Sequence, residues 1–346
     1  MSKIDTVIWA NDFSNTTGEG LLGRKFIDLL FFKKNKLAQL KSYEKLYLIG
    51  NKKVLKNIIP DNSFYGKYVW PFFGVLYLWL NLSKKNIIYL NYLPLWNFLI
   101  FLLLPKKTIL GPITGGNYDG RVNNINLFLR KYIFPILYKI SLFIIYTKFK
   151  KVIFSTDLLK KNISKKKINL FLFNFVFIFF SQKIKKKNRN FDIIFYNRSH
   201  IMKNVGNIQT ILNQISSKYK ISIIGDSIKN DNLTNYGFVK KDILKKILYN
   251  SSYAIVSSEN LFSLFTIDAY NSGTHIIYNK SLKKYLPMKS NFFFHLNYNS
   301  KNTAKQLINI LKKSKICREN IKFKNFLVYK RKKIVNFFKE YQNKLK

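Results

Sequence analysis

The sequence predicts an α/β fold built on two doubly wound parallel sheets, and three observations predict it. Short apolar runs of strand length alternate with longer stretches of helical period, the pattern of βαβ units. The alternation stops at a polar, basic run and then restarts. The 346 residues, 47% of them hydrophobic, are enough for about two ordinary domain cores.

The elements follow in order. Ile4–Ala10 reads as a strand, Leu21–Lys34 as a helix, and Lys45–Ile49 and Asn86–Leu90 as strands. Lys107–Leu110 and Val152–Phe154 continue the strand series. Ser181–Asn190 is polar and basic, the composition of a linker. After it come strands at Phe191–Tyr196, Ile221–Ile224, Tyr253–Val256 and Thr274–Tyr278, with helical stretches near 204–217, 241–249 and 262–271. Two more helices, about 302–313 and 318–345, close the chain. The domain boundaries expected are 1–182 for the first domain, 183–190 for the linker, 191–325 for the second domain, and 326–346 for a C-terminal helix returning to the first.

Composition narrows the function classes. A single cysteine, Cys317, excludes a disulfide framework and a structural zinc site, and fits a reducing compartment. The three histidines, His200, His275 and His295, are too far apart for a helical metal pair. The net charge is +45, from 61 Lys and Arg against 16 Asp and Glu. An AT-rich genome would raise lysine but not deplete the acids, so the excess points to an anionic partner: a membrane surface, nucleic acid or a phosphorylated substrate. The 17% aromatic content excludes a disordered basic tail. Leu93–Pro105 and Ile168–Phe180 are strongly apolar but shorter than the roughly 20 residues of a spanning helix. Leu127–Tyr146 is long enough, but Arg130, Lys131 and Lys139 interrupt it. The reading is of no transmembrane helix.

Four segments could carry chemistry. Gly18-Glu19-Gly20-Leu21-Leu22-Gly23 has the spacing of a dinucleotide loop. Seven residues separate it from the strand, however, and no acid follows the next strand at Ile49-Gly50-Asn51 to hold a ribose. Its backbone N–H groups could still hold an anion or a sugar, or the glycines could serve close packing alone. Gly111-Pro112-Ile113-Thr114-Gly115-Gly116-Asn117-Tyr118-Asp119 follows a strand, where ligands of parallel sheets bind; the alternative is a plain turn. Arg198 and Lys203 flank a strand-to-helix turn and could converge on a diphosphate, or be solvated surface. His200 between them suits a hydrogen bond or a structural place equally. The fourth segment combines Gly237-Phe238-Val239, which the family described next has as a strand, with the stretch Val256-Ser257-Ser258-Glu259-Asn260-Leu261-Phe262-Ser263-Leu264 and then Asp268 and Gly273. It offers a carboxylate at a strand end, amides at a helix start and a second acid further on; these suit a sugar, a phosphate and a ribose, or else simply cap and solvate.

The fourth segment resembles the donor-site signature of retaining GT-B glycosyltransferases, the large family 4 type. Arg198 and Lys203 resemble that family's basic pair, and Gly18, Gly20 and Gly23 its N-terminal glycine loop. Residues 191–280 carry the likeness well and residues 1–160 loosely. Asp268 departs from the pattern, being an aspartate set one position late, and Ser263 stands where the family commonly has glycine. The resemblance implies a GT-B architecture, two Rossmann-like domains with parallel sheets facing across a cleft. It implies catalytic roles for Glu259, Arg198 and Lys203. It implies donor contacts at Gly20, Gly237, Val239, Phe262, Ser263, Leu264 and Asp268, and an acceptor side at Gly115, Gly116 and Asn117. The activity implied is a hexosyltransferase reaction from a nucleotide-sugar donor to a glycan or glycolipid hydroxyl, with retention, in cell-surface polysaccharide or lipopolysaccharide synthesis. It implies no metal and no cofactor.

Two other classes compete. The charge and the aromatic residues would suit a nucleic-acid-binding protein; against it, the aromatics lie in core-like apolar runs and no nucleic-acid motif appears. An NAD(P)-dependent oxidoreductase is weakened by the misplaced glycines. The location expected is cytoplasmic, peripheral on the inner face of the cell membrane and held there by charge.

Overall fold

The computed structural model describes residues 6–31, 38–42, 45–49, 63–90, 95–114, 125–149, 152–160, 163, 168, 171–181, 189–198, 207–312 and 320–344. The chain divides into two compact units, one of residues 1–175 with 333–346, the other of residues 176–332.

The first unit opens with β1 (Thr6–Ala10), α1 (Gly18–Phe31), β2 (Ala38–Ser42) and β3 (Lys45–Ile49). A π-helical turn at Tyr65–Val69 leads into α2 (Trp70–Leu80), followed by β4 (Asn86–Leu90), α3 (Phe98–Leu103) and β5 (Ile109–Leu110). A second π-helical turn, Leu129–Ile133, joins α4 (Ile125–Phe128) to α5 (Phe134–Lys148). The short parallel pair β6 (Val152–Ile153) and β7 (Phe171–Leu172) completes the series. The main sheet has the order β3-β2-β1-β4-β5 and is parallel except for β3, which pairs antiparallel with β2 at the edge. Ile113 bridges to Phe154 beside β6, which carries the layer onward.

β1 and β4 are buried along their whole length, as central parallel strands must be. Trp9 supplies the bulk: its indole lies where a Cβ on Gly74 would sit, 2.3 Å from that position, so α2 crosses β1 at a glycine. The Trp9 Nε1 proton goes to Asn11 Oδ1 at 3.1 Å, and the Tyr89 hydroxyl donates to the Pro71 carbonyl at 2.9 Å. Both buried polar groups are thereby satisfied.

The second unit holds β8 (Phe191–Asn197), α6 (Ile208–Ile215), β9 (Ile221–Gly225), β10 (Leu233–Asn235), α7 (Lys241–Tyr249), β11 (Ser251–Ile255), α8 (Leu264–Asn271), β12 (His275–Asn279), β13 (Phe293–Leu296) and α9 (Thr303–Lys312). Its six strands are all parallel, in the order β10-β9-β8-β11-β12-β13. Numbered within the unit, that is 3-2-1-4-5-6, the doubly wound order of mononucleotide-binding sheets. Ile193, Phe195, Ile223, Tyr253, Ile255 and Ile277 form its core with Ile208, Leu212 and Leu307 of the covering helices. Phe177 and Phe180 pack on Phe262 and Tyr270, so 176–181 belong to this unit. α10 (Ile321–Lys344) contributes to both units. Phe323 stacks among Tyr270 and Phe293 of the second, and Phe338 meets Phe26 and Phe175 of the first.

Arg189, the last cation of the predicted linker, is structural. Its guanidinium donates to the carbonyls of Ser251 (2.8 Å), Ser252 (2.9 Å) and Gly273, tying the start of β8 to β11 and β12. Most of that linker, 182–188, lies outside the described residues. Gly237-Phe238-Val239 is not a strand: β10 ends at Asn235, and Gly237 turns at φ +65° with its carbonyl accepting from Gly225 N–H at 2.8 Å.

Candidate functional site

In a doubly wound sheet, ligands gather outside the carboxyl ends of the strands where the winding reverses. In the second unit the reversal lies between β8 and β11. β8 ends at Asn197 and is followed by the exposed Arg198; β11 is followed by the segment carrying Ser257, Ser258 and Glu259. Topology therefore brings Arg198 and Glu259, 61 residues apart in sequence, to one end of the sheet.

Both turns are held firmly. Asn197 is buried; its amide donates to the Asp226 carbonyl at 2.7 Å, and its Oδ1 accepts from Gln209 at 2.6 Å. Gly225, at φ +94°, lets β9 end against it, because a Cβ there would stand 2.0 Å from the Asn197 carbonyl oxygen. On the other side Ser258 Oγ accepts from Asn279 Nδ2 at 2.8 Å, and Asn260 Oδ1 accepts from the Phe262 N–H at 3.0 Å. Glu259 is partly exposed between those two anchors.

The predicted donor residues beyond Glu259 divide by role. The Phe262 ring is core, packed on Phe177, Phe180 and Phe293, and its N–H is engaged by Asn260. Ser263 caps α8: its Oγ accepts from Thr266 N–H at 3.2 Å and lies 2.9 Å from the Thr266 hydroxyl. Leu264 is the first residue of α8, in the turn whose N–H groups have no partner within the helix. Tyr196 stacks on Phe265 at 5.2 Å, which fixes the start of α8 beside the end of β8. Asp268, a turn further along, lies 3.7 Å from Lys241 Nζ of α7. Burial raises its pKa, opposed by Lys241 and Lys245. Gly237 and Val239 lie in the loop after β10. Lys203 and the neighbouring His200 lie outside the described residues.

The first unit has its own reversal, between β1 and β4. Asp12 follows β1 and is buried; its Oδ1 accepts from Ser14 N–H at 3.0 Å, and its other oxygen from the Thr17 hydroxyl. Thr17 in turn accepts from Gly20 N–H at 3.0 Å. A Cβ on Gly20 would lie 2.5 Å from Ser14 backbone atoms and 2.6 Å from Asp12 Oδ1, so the space that this glycine leaves is filled by its own loop. Glu19, in the first turn of α1, accepts from the Thr114 hydroxyl at 3.0 Å. That bond joins the two glycine-bearing segments across 95 residues. Gly115, Gly116 and Asn117, which follow Thr114, lie outside the described residues.

Glu19 is the most perturbed of these acids. Burial pushes its pKa up to about 7; the Thr114 bond opposes the rise and nearby Asp12 adds to it. The folded protein thus prefers Glu19 protonated relative to the unfolded chain. Its stabilising effect is complete below pH 4.5 and is lost as pH rises through 7. We expect up to about 3 kcal/mol of stability to disappear over that window. Glu19→Gln, which keeps the acceptor for Thr114, should flatten the fall in Tm between pH 5 and 8; an unchanged slope would assign the pH dependence elsewhere.

The glycine pattern draws attention to Gly18, Gly20 and Gly23 and passes over Asp12 and Glu19, the acids beside it. The available signal was scarcity: in a chain with 16 acids, two fall within nine residues after the first strand. Gly225 was also legible, as a glycine ending an apolar run just before an acid.

No protein-family model and no curated protein matches the sequence. Solved structures match over nearly the whole chain. The lipopolysaccharide outer core galactosyltransferase WaaB, in its apo form, aligns at 11% identity over 98% of both chains with a TM-score of 0.56. MnaA of S. aureus, solved with UDP, aligns at 10% identity over 99% of this chain and 97% of its own, with a TM-score of 0.53. The UDP-GlcNAc 2-epimerase of Methanocaldococcus jannaschii, in complex with UDP-GlcNAc and UDP, aligns at 9% identity over 90% and 94%, with a TM-score of 0.52. The fold is GT-B. At such identities the likeness is one of architecture, two Rossmann-like α/β units in one chain, and it agrees with the fold class read from the sequence.

Proposed function

We propose that this protein transfers a hexose from a nucleotide-sugar donor to a hydroxyl of a glycan or glycolipid, with retention at the anomeric carbon and without metal or cofactor. The observation that carries the reading is the carboxyl end of the second sheet. There a cation (Arg198), a carboxylate (Glu259) and the start of α8 meet at the reversal of a sheet in mononucleotide-binding order. Two of the fold neighbours were solved with UDP or UDP-GlcNAc, which supports a uridine nucleotide as the first donor to test.

In this reading the leaving diphosphate is neutralised by Arg198, with Lys203, and by the N–H groups of Leu264 and Phe265 at the start of α8, a preorganised electrostatic role. Glu259 orients the sugar through its hydroxyls. Asp268 holds the ribose only by giving up part of its pairing with Lys241. Gly237 and Val239 border the donor through backbone, and Gly115, Gly116 and Asn117 are the residues proposed for the acceptor; Gly20 takes no part, because its own loop fills the space beside it. Cell-surface polysaccharide or lipopolysaccharide synthesis would supply such acceptors on the cytoplasmic face of the membrane, where the enzyme would work as a peripheral protein.

The test is a thermal-shift screen of nucleoside diphosphates and nucleotide sugars, followed by assay of acceptor-dependent nucleotide release. One nucleoside diphosphate should raise Tm selectively. Arg198→Ala should weaken it by about 1.5–3 kcal/mol, the range for a charged hydrogen bond, while Lys185→Ala in the linker should do far less. Equal losses at both positions would mean that general charge binds the nucleotide. Conversion of UDP-GlcNAc to its epimer with no acceptor present would replace transfer by epimerisation.

A further inference from the structure

We infer that the apolar face formed by α2, α3 and α4–α5 of the first unit docks on an anionic lipid bilayer, its aromatic and aliphatic side chains entering the interface while lysines and arginines at its rim hold the headgroups. This face belongs to the first unit and the donor-site residues to the second, so vesicle binding and nucleotide binding can fail independently.

Each helix exposes one apolar stripe and buries the other. On α2, Phe73, Leu76, Trp79 and Leu80 are exposed, and Pro71, Gly74, Val75 and Leu78 are buried. On α3, Leu99, Leu102 and Leu103 are exposed while Ile100 and Phe101 are core. Along α4–α5, Phe128, Tyr132, Ile136, Ile140 and Phe143 recur at helical spacing on the outside, against Tyr138, Leu142 and Ile145 inside. The stripes join. Trp79 Nε1 donates to the Leu103 carbonyl at 2.7 Å, and Lys148 Nζ of α5 donates to the Leu102 carbonyl at 2.5 Å. Tyr68, Trp96 and Phe134 link the other ends through ring contacts of 6.2 and 5.7 Å. Exposed apolar area this continuous marks an interaction surface.

Charge selects the occupant. Between residues 62 and 156 the sequence carries 12 Lys and Arg and a single acid, Asp119. Lys84 and Lys85 follow α2, Lys106 and Lys107 follow α3, and Arg130, Lys131 and Lys139 lie along the α4–α5 segment. A second copy would bring the same cations and repel, whereas an anionic bilayer supplies apolar depth and negative headgroups together. Trp and Tyr among the exposed residues suit the headgroup boundary. Among the described residues no helix is long and apolar enough to cross a membrane, so the helices would lie in the interface. This departs from attachment by charge alone: bilayer contact through apolar insertion persists when salt screens the cations.

The experiment is flotation of the full chain with vesicles of neutral phosphatidylcholine, with and without about a third phosphatidylglycerol, at about 0.1 and 0.5 M NaCl, a range over which the Debye length shrinks more than twofold. The protein should float with the anionic vesicles, and a substantial fraction should stay bound at high salt. The triple variant Leu76→Glu, Leu102→Glu, Ile136→Glu replaces side chains that are 53%, 51% and 56% exposed, so the core is untouched. It should reduce binding at least tenfold with Tm unchanged. In the unaltered protein, acyl-brominated lipid should quench part of the emission of its four tryptophans, and Trp79→Phe should reduce that quenching. Absence of binding at low salt, complete release at high salt, or equal flotation of the triple variant would each overturn the inference. A dimer in light scattering that the triple variant abolishes, with no vesicle binding, would assign the face to a second copy instead.

Discussion

Glu259→Gln should lower kcat by about 10²–10³, the cost of losing one preorganised electrostatic contact at a reacting centre, while leaving nucleoside diphosphate affinity within about threefold of the parent. The expectation rests on where the carboxylate stands. Ser258 is fixed by Asn279, and Asn260 is fixed by the Phe262 N–H, whose ring is locked into an aromatic core. Glu259 is therefore presented by a turn that has little freedom to move. The amide keeps the shape and most hydrogen bonds but loses the charge, so a loss in kcat without a loss in affinity is the signature of a role toward the sugar. Turnover equal to the parent would remove Glu259 from the mechanism; weakened nucleotide binding instead would move its role to the diphosphate end.

The second large effect is structural. Gly225→Ala should destabilise the second unit by about 3–5 kcal/mol, combining a strained backbone with overpacking, and lower its Tm by about 10 °C. The residue has φ +94°, and a Cβ would lie 2.0 Å from the Asn197 carbonyl oxygen, a backbone atom that also accepts from Asp226 N–H at 3.0 Å. Neither atom can yield without moving the end of β8, so Arg198 should be displaced as well and nucleotide affinity should fall in parallel. Gly237→Ala is the control. Its φ is +65°, but nothing lies within 4 Å of the added methyl. It should cost only about 1–2 kcal/mol, the left-handed penalty. Similar losses at both glycines would mean that φ alone, and not the contact with Asn197, sets the requirement.

Local pattern carried much of the architecture. β3 and β4 fall where the apolar runs put them, and α7 spans the 241–249 read from its period. β4 is buried on both faces and α7 on one, so burial and periodicity coincide there. β2 was not legible: Ala-Gln-Leu-Lys-Ser reads as polar, yet it pairs with β1 because the sheet needs a neighbour there. The antiparallel sense of β3 was equally hidden, since alternation along a strand says nothing about its direction. α2, α3 and α5 read as apolar runs without a clear helical period, because their outer faces are as hydrophobic as their inner ones.

By itself, then, the sequence determined the α/β class, the two-part organisation and the cationic character, and it nominated residues for donor chemistry in the second unit. Only the tertiary structure decided which of them meet. Glu19 joins Thr114, Asp268 turns to Lys241, Arg189 staples three strands, and the space at Gly20 is filled by its own loop. Each of these depends on strand order and register between segments far apart in the chain. Residue type and local spacing set what a side chain can do, whereas its partner is set by which strands lie side by side and where each one ends.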